Sequence, residues 1–297
     1  MINKKGRIFG FMASLDFRSW AVSAVAECLS GLGYSSVEWT LAHFDPQRSR
    51  QELTELVRIP ERYGLQVSEA VVQQDFVTLD HSTYEDRINL VAACITAASH
   101  AGIRVLNLFT GPAPWDPKAP RLGIDISEGQ AWELVLRAFQ RLVPLADKYH
   151  IYLAVEAVFG HLCHDYYTLQ ELLHHFDSEY LAVNLDPSHY QLYGNDISWA
   201  VRRLAPSIRH VHLKDVVGRP GLPGKDFAFP LMGEGTVDWT AFVEALDEIG
   251  YQGALSVEFE AFSYYEQVLE KDPKRAAALS MEQILHLFPT SKSRTEV

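Results

Sequence analysis

Carboxylates, imidazoles and one lysine recur on four β-rich runs in the second half of the chain. The runs are 152–158 with Glu156, 181–186 with Asp186, 208–214 with His210, His212 and Lys214, and 254–260 with Glu258 and Glu260. Each run alternates. Leu153 and Val155 oppose Ala154 and Glu156; Leu181, Val183 and Leu185 oppose Ala182, Asn184 and Asp186. Val211 and Leu213 oppose His210, His212 and Lys214; Leu255, Val257 and Phe259 oppose Ala254, Ser256, Glu258 and Glu260. Successive side chains of a strand point to opposite faces, so all four runs send large apolar groups one way and ionisable groups the other. Charges gathered so densely are costly to bury unless they are paired or bound to a cation. One divalent ion held by Glu156, Asp186, His212 and Glu258 is the economical solution. Three carboxylates and one imidazole, without sulfur, favour Mn²⁺ first and Mg²⁺ or Co²⁺ next, with Zn²⁺ less well matched. Pro187 holds the backbone of Asp186 extended, which suits a ligand. The competing arrangement is a set of inward salt bridges, such as Lys214 with Asp186 or Glu258.

A C–H bond beside a carbonyl is weakly acidic. Chelation of the carbonyl and a neighbouring hydroxyl stabilises the enediolate left by deprotonation, and a carboxylate can serve as the base. Glu156 and Glu258 enter from different runs, on roughly opposing sides of the ion. Removal of a proton on one face and its return on the other is epimerisation. One glutamate working alone gives aldose–ketose isomerisation, and loss of a β-hydroxyl gives dehydration. The residues themselves do not choose among the three.

The elements that must position these groups extend along the whole chain. Further β-rich runs lie at 7–13, 36–40, 66–72 and 105–110, and helical spacing fills 18–32, 47–63, 82–100, 127–149, 166–176, 196–205, 238–250 and 264–287. Ser127 is placed to cap the helix at 127–149. Eight strands alternating with eight helices imply parallel pairing and right-handed crossovers, and the simplest closed solution is an α/β (β/α)8 TIM barrel. An open doubly wound sheet would carry a glycine-rich phosphate loop, and no GxGxxG, GxxxxGK[ST], nucleophile elbow or HExxH is present. No linker divides the chain, so 1–297 reads as one barrel domain, the barrel covering about 7–288 and a polar tail 289–297. The inward groups sit near the C-terminal ends of their strands, where barrel active sites lie.

Composition narrows the function classes. Lys plus Arg number 26 against 38 Asp plus Glu, a net charge of −12, which disfavours nucleic-acid and anionic-membrane surfaces. With 47% hydrophobic and 22% charged residues the chain is not of the disordered class. No run approaches the roughly 18 apolar residues of a membrane helix. Cys28, Cys94 and Cys163 are far apart and read as free thiols of a reducing compartment. Lys4, Lys5 and Arg7 precede the apolar run 8–15, but Asp16 and Arg18 follow at once without an A-x-A-like site. A first strand and a cytoplasmic location are therefore expected.

The runs LAVEAV, LDPSHYQLYG, HVHLKD, MGEGTVDW and LSVEFE resemble the xylose-isomerase-like TIM barrels of the sugar phosphate isomerase/epimerase family. Tagatose/psicose 3-epimerases, hydroxypyruvate isomerase, and inosose isomerase and dehydratase belong to that group. The resemblance implies a divalent-metal-dependent isomerase or epimerase of a ketose or keto-polyol. A dehydratase of the inosose, dehydroshikimate or 3-keto-glycoside type is the alternative. It also implies that Glu156, Asp186, His212 and Glu258 hold the ion, Mn²⁺ or a similar one, and that both glutamates transfer protons. His189, three residues after the Asp, and Arg219, in the loop after the seventh strand, would contact substrate. The segment AVFGHLCHD matches no single subfamily.

Other residues carry weaker signals. Glu38, Glu69 and Asn107 end or line strands 2 to 4 and could meet the far end of a substrate. Trp115, in a proline-rich loop over 110–126, has the apolar body to cover a sugar, and His161 or His164 could touch it. The loop 216–232 could form a second lid carrying Arg219. Lys214 invites a Schiff-base reading, but adjacent carboxylates would keep it protonated, and orienting the site suits it and Asp215 better. His210 reads as a deeper partner of the site. An abasic-site nuclease would need more histidines on the first four strands, and a non-catalytic sugar-binding subunit would be expected to lack a ligand. A homo-oligomer, dimer or tetramer, is expected, with no nucleic-acid or membrane partner.

Overall fold

Parallel pairing closes eight short strands into a ring in the computed structural model, which describes residues 6–288. In chain order the strands are β1 (Ile8–Met12), β2 (Ser36–Thr40), β3 (Gln66–Val71), β4 (Val105–Leu108), β5 (Tyr152–Glu156), β6 (Leu181–Leu185), β7 (Ile208–Leu213) and β10 (Ala254–Val257). β10 pairs with both β7 and β1, so no barrel edge is left open. The two remaining strands, β8 (Val217–Gly218) and β9 (Phe227–Ala228), form a small antiparallel hairpin after β7. The expected tail at 289–297 and Lys4 and Lys5 lie outside the described residues. Among the described residues no helix is long and apolar enough to cross a membrane.

Helices follow the strands: α1 (Val22–Gly31), α2 (Arg50–Arg62), α3 (His81–Ala101), α4 (Glu128–Tyr149), α5 (Tyr166–His174), α6 (Pro187–Leu192), α7 (Ile197–Leu204), α8 (Trp239–Glu248), α9 (Phe262–Gln267) and α10 (Pro273–Leu287). Ser127 caps α4 by accepting from Gln130 N at 3.3 Å, while Gln130 Oε1 accepts from Ser127 N at 3.2 Å. The structure corrects the expected helix count in two places. α6 is an extra turn of helix right after Asp186, with Pro187 at its first position. The final helix is split, because Glu270 and Lys271 have φ of 57° and 58° and Asp272–Pro273 restarts the helix. Outward strand residues such as Val155, Val183, Val211 and Leu255 are buried with Phe139, Leu142 and Phe242 of the helices in one apolar core.

Two buried aspartates tie down the loops at the C-terminal end of the barrel. Asp75 accepts from Val77 N and Ala113 N, both at 2.8 Å. Gly111 passes so close to it, with φ of 85°, that a Cβ there would stand 1.8 Å from Asp75 Oδ1. Asp215 accepts from the backbone N–H of Val216, Gly233, Gly235 and Val237 and from Trp239 Nε1, at 2.9 to 3.1 Å. One carboxylate therefore shapes the whole loop from β7 to α8. His161 braces the loop after β4. Its Nδ1 accepts from Gly111 N at 3.1 Å, and its ring lies 4.5 Å from Phe109 and 5.1 Å from Trp115.

Replacing Asp215 by alanine leaves several buried N–H groups without an acceptor, each worth roughly 1–3 kcal/mol. The expected result is a loss of at least about 3 kcal/mol in denaturant unfolding, with faster hydrogen exchange at Gly233 and Gly235. His161 gives a pH-dependent counterpart. Burial pushes its imidazole from 6.5 down to about 3, so the folded protein keeps it neutral where the unfolded chain protonates it. That contribution is intact above pH 6.5 and is lost as pH falls toward 3. Between pH 7 and 5 the wild type should lose about 2 kcal/mol more than His161→Gln, measured by urea unfolding at each pH.

Candidate metal centre

Each of the four expected ligands is delivered by a different strand. Glu156 is the last residue of β5, Asp186 directly follows β6, His212 lies in β7, and Glu258 directly follows β10. One ligand atom from each lies within 4.8 Å of the others. Glu156, Asp186 and His212 are almost wholly buried and Glu258 is slightly exposed. Such a set of three carboxylates and one imidazole fits a divalent cation, which needs oxygen-rich donors and whose charge offsets theirs. The competing arrangement occupies the same place: Lys214 Nζ lies 3.0 Å from Asp186 Oδ2, 2.5 Å from Glu258 Oε2 and 3.0 Å from Glu260 Oε2. The geometry thus brings together both readings of these residues, a cation cluster with an ammonium at its edge.

Glu156 is the most constrained carboxylate. Its Oε2 accepts from the side-chain amides of Asn107 at 3.0 Å, Gln73 at 3.1 Å and Asn184 at 3.3 Å. Its Oε1 faces His212 Nδ1 at 3.3 Å and His189 Nε2 at 3.7 Å. Burial raises the pKa of Glu156, and His212 counteracts it. Burial would raise Glu258 as well, yet Lys214 and His212 hold it well below the usual range. Glu260 goes the other way: desolvation pushes it up to about 7 against the pull of Lys214. Burial drives His189 down to about 3, and the ammonium of Lys214, 3.3 Å from its Nε2, adds to the effect.

A second layer of charge lies beneath. Glu38 on β2 is in register with Glu69 on β3, and both side chains are fully buried. Like charges opposed in this way repel. His212 Nε2 lies 3.0 Å from Glu38 Oε1, and His210 Nδ1 lies 3.3 Å from Glu69 Oε1. Burial raises Glu38, but His212 outweighs it and holds the carboxyl low; burial and Glu38 together push Glu69 well up. The pair thus carries its charge mainly on Glu38. His210 joins the two layers: burial keeps it neutral, down to about 3, its Nδ1–H donates to Asn184 Oδ1 at 3.1 Å, and its Nε2 accepts from Ser68 Oγ at 3.2 Å.

Several expected substrate contacts are placed elsewhere. Glu69 is sealed in the lower layer, because β2–β3 pairing turns it toward Glu38. Asn107 is fully buried and spends its amide on Glu156. His161 is nearly fully buried behind Phe109 and Trp115, as a brace of the loop. Arg219 is exposed on the β8–β9 hairpin, where its N–H donates to Asp226 O, and it does not line the cavity. Asp215 turns away from the cluster to anchor its loop. His189, Lys214 and Trp115 do line the cavity above the ligands, as do Gln73 and Glu260. Gln73 carried no signal in the sequence, since it lies in an irregular segment after β3.

The comparisons with known proteins agree with this architecture. Inosose dehydratase of Mesomycoplasma hyopneumoniae (strain 7448) is 30% identical over 122 residues, a stretch that spans 37% of this chain and 37% of that relative. A structure of the IOLI protein with a bound zinc atom superposes with a TM-score of 0.73 at 16% identity, covering 94% of this chain and 97% of that one. A D-psicose 3-epimerase structure determined in the presence of D-fructose gives 0.72 at 15% identity, over 94% and 99%. At such identities the two structures speak for the fold alone. The family model described as xylose isomerase-like TIM barrel matches residues 27–285, and the chain belongs to that family.

Proposed function

We propose that the protein is a divalent-metal-dependent isomerase or epimerase of a ketose or keto-polyol. The observation that carries this reading is the convergence of Glu156, Asp186, His212 and Glu258 at the C-terminal mouth of the barrel, beneath an open cavity. Bound there, a divalent ion would supply Lewis acidity to a carbonyl and its neighbouring hydroxyl, lowering the cost of removing the proton on the carbon between them. Mn²⁺ suits the donor set best.

The chain's own groups do the rest. The three amides on Glu156 Oε2 fix that carboxylate and leave Oε1 turned toward the cluster. Glu258 enters from the far side, three strands away around the ring, held by Lys214. Two carboxylates on different sides of one site can take a proton from one face of a substrate carbon and return one to the other. Glu38 accepts from His212 Nε2–H, which leaves Nδ1 to face the ligand cluster. Lys214 and His189 present polar atoms to the cavity, where they would orient substrate oxygens. A second reading, loss of water from a keto-polyol, is favoured by the identity shared with inosose dehydratase.

In D₂O, with a panel of ketoses, inososes and keto acids, the metal-loaded protein should place deuterium on a carbon next to the carbonyl. An epimer or isomer marks the first reading, and an unsaturated product that has lost water marks the second. Glu156→Gln should lower the exchange rate by roughly 10²–10⁴-fold at saturating metal. No exchange by metal-loaded protein on any member of the panel would refute both. Removing the ion with a chelator should abolish exchange, and adding back Mn²⁺ should restore it; activity that survives complete removal, checked by elemental analysis, would refute the metal dependence.

A further inference from the structure

The cavity above the ligand cluster is larger and more apolar than the proposed chemistry requires. It encloses about 710 Å³, within the roughly 300–1,000 Å³ range of sites that enclose drug-sized ligands and more than a monosaccharide fills. Its polar groups, Gln73, Glu156, His189, Lys214, Glu258 and Glu260, gather where the ligands are. An aromatic wall of Phe109, Trp115, Phe159, Phe227, Phe229 and Tyr264 completes the lining, with Phe229 4.7 Å from Lys214 Nζ and 5.7 Å from the His189 ring. Phe159 is the hub of that wall, with ring centroids at 4.8 Å from Phe227, 5.5 Å from Trp115 and 5.8 Å from Phe229.

This wall is not an extension of the barrel core. Phe109, Val158, Phe159, Leu192, Val216 and Phe227 form an apolar cluster of their own, with Tyr193 and Phe229 packed against it. Phe109 and Trp115 belong to the segment after β4 that Asp75 ties, Phe227 and Phe229 to the loop that Asp215 ties, and Phe159 to the loop after β5. At the rim, Trp115 and Phe262 are each 53% exposed, and both line the cavity. Apolar surface left in water at a preformed cavity is stabilised when a ligand covers it. A second lobe of about 760 Å³ shares Gln73, Trp115, Glu258, Glu260 and Phe262 with the first, and its own lining mixes Asp16, Arg18, Thr40 and Lys271 with Met12, Leu41 and Val71. Glu258 and Glu260 thus stand between an aromatic lobe and one of mixed lining.

We propose that the aromatic lobe binds a planar apolar group carried by the substrate, so that the substrate is an aryl-bearing hydroxy-ketone, such as a keto sugar joined to an aromatic alcohol. The polyoxygenated part lies over Glu156 and Glu258 and extends toward Asp16, Arg18 and Lys271 of the second lobe. The ring of the substituent packs against Phe159, Phe227 and Phe229. The inference rests on the function proposed above for the nature of the polar part, and on the cavity alone for the aromatic part.

The two parts are tested separately. Isothermal titration of the metal-loaded protein compares phenyl β-D-glucopyranoside with methyl β-D-glucopyranoside. The phenyl compound should bind about tenfold more tightly or better. Phe229→Leu and the exposed-rim variant Phe262→Ala should each reduce that preference by about three- to tenfold, with unchanged metal content and melting temperature. Equal affinity for the two glucosides, no phenyl-dependent binding, or a preference untouched by both substitutions would overturn the inference. Deuterium exchange without an aryl preference would sink this inference and leave the proposed reaction standing. An aryl preference without exchange would do the reverse.

Discussion

The interior of this barrel is governed by like charge. Glu38, Glu69, Glu156, Asp186, Glu258 and Glu260 all face its axis or mouth, and Lys214 is the ammonium packed among them. Carboxylates so close cannot all stay ionised in a poorly hydrated space without compensation. The fold meets that constraint in graded ways. Burial and Glu38 push Glu69 toward its neutral form, His212 favours the charged form of Glu38, three amides serve Glu156, and Lys214 spans Asp186, Glu258 and Glu260. What remains at the top is an oxygen-rich concavity whose residual charge suits a divalent ion. The same constraint explains the small residues on the inward face. A Cβ on Gly10 would come within 3.2–3.3 Å of Ser256 and Ser36, so the space beneath the carboxylates is already full with glycine and serine there.

His212 is the link between the two layers. One ring nitrogen faces Glu156 and Glu258 and the other faces Glu38. Burial alone would make the imidazole neutral, yet Glu38, Glu156 and Glu258 push its pKa well above the ordinary value. In the absence of another cation, the ring itself supplies the positive charge. His212 would hold an ion through Nδ1 while its Nε2–H stays with Glu38, and binding there would then release a proton from the ring. Of the lower pair, Glu38 lies 3.0 Å and Glu69 3.7 Å from His212 Nε2, and neither lines the cavity.

The sequence made the upper layer legible because its signal is local. Alternation within each of four runs places Glu156, Asn184, His212 and Ser256 on one face, and closure of the ring brings those faces together. The lower layer depends on strand register, which pairs Glu38 with Glu69, and alternation within one strand carries no information about its neighbour. Gln73 was hidden for a different reason: it follows β3 in a segment without period, and only the folded loop turns its amide to Glu156. Arg219, expected from its position after the seventh strand to contact substrate, stands on the β8–β9 hairpin with its guanidinium in solvent, a placement set by loop folding that strand alternation does not encode. The aromatic wall is assembled from residues between 109 and 264 that are neighbours only in space.

The two glutamates proposed to move protons are not equivalent, and the difference bears on the reaction. Glu156 is clamped: one oxygen is fully engaged with amides, and the side chain is buried. Glu258 is slightly exposed and answers to a lysine that also serves Asp186 and Glu260. Amide donors stabilise a carboxylate anion without offering it a labile proton, so Glu156 is built to accept and hold position. Lys214 and His212 favour the ionised form of Glu258, and the surrounding carboxylates hold the proton on Lys214, so the group on that side able to carry a proton near neutrality is Glu260, pushed up to about 7 by burial. In the reaction proposed above, a substrate held between them would meet a fixed carboxylate on one face and the Glu258–Lys214–Glu260 group on the other, where a proton on Glu260 would be placed to reach a substrate carbon or a departing hydroxyl. On the proposed mechanism, epimerisation and dehydration would differ in what the substrate presents to the Glu258–Lys214–Glu260 side, rather than in which residues the barrel supplies.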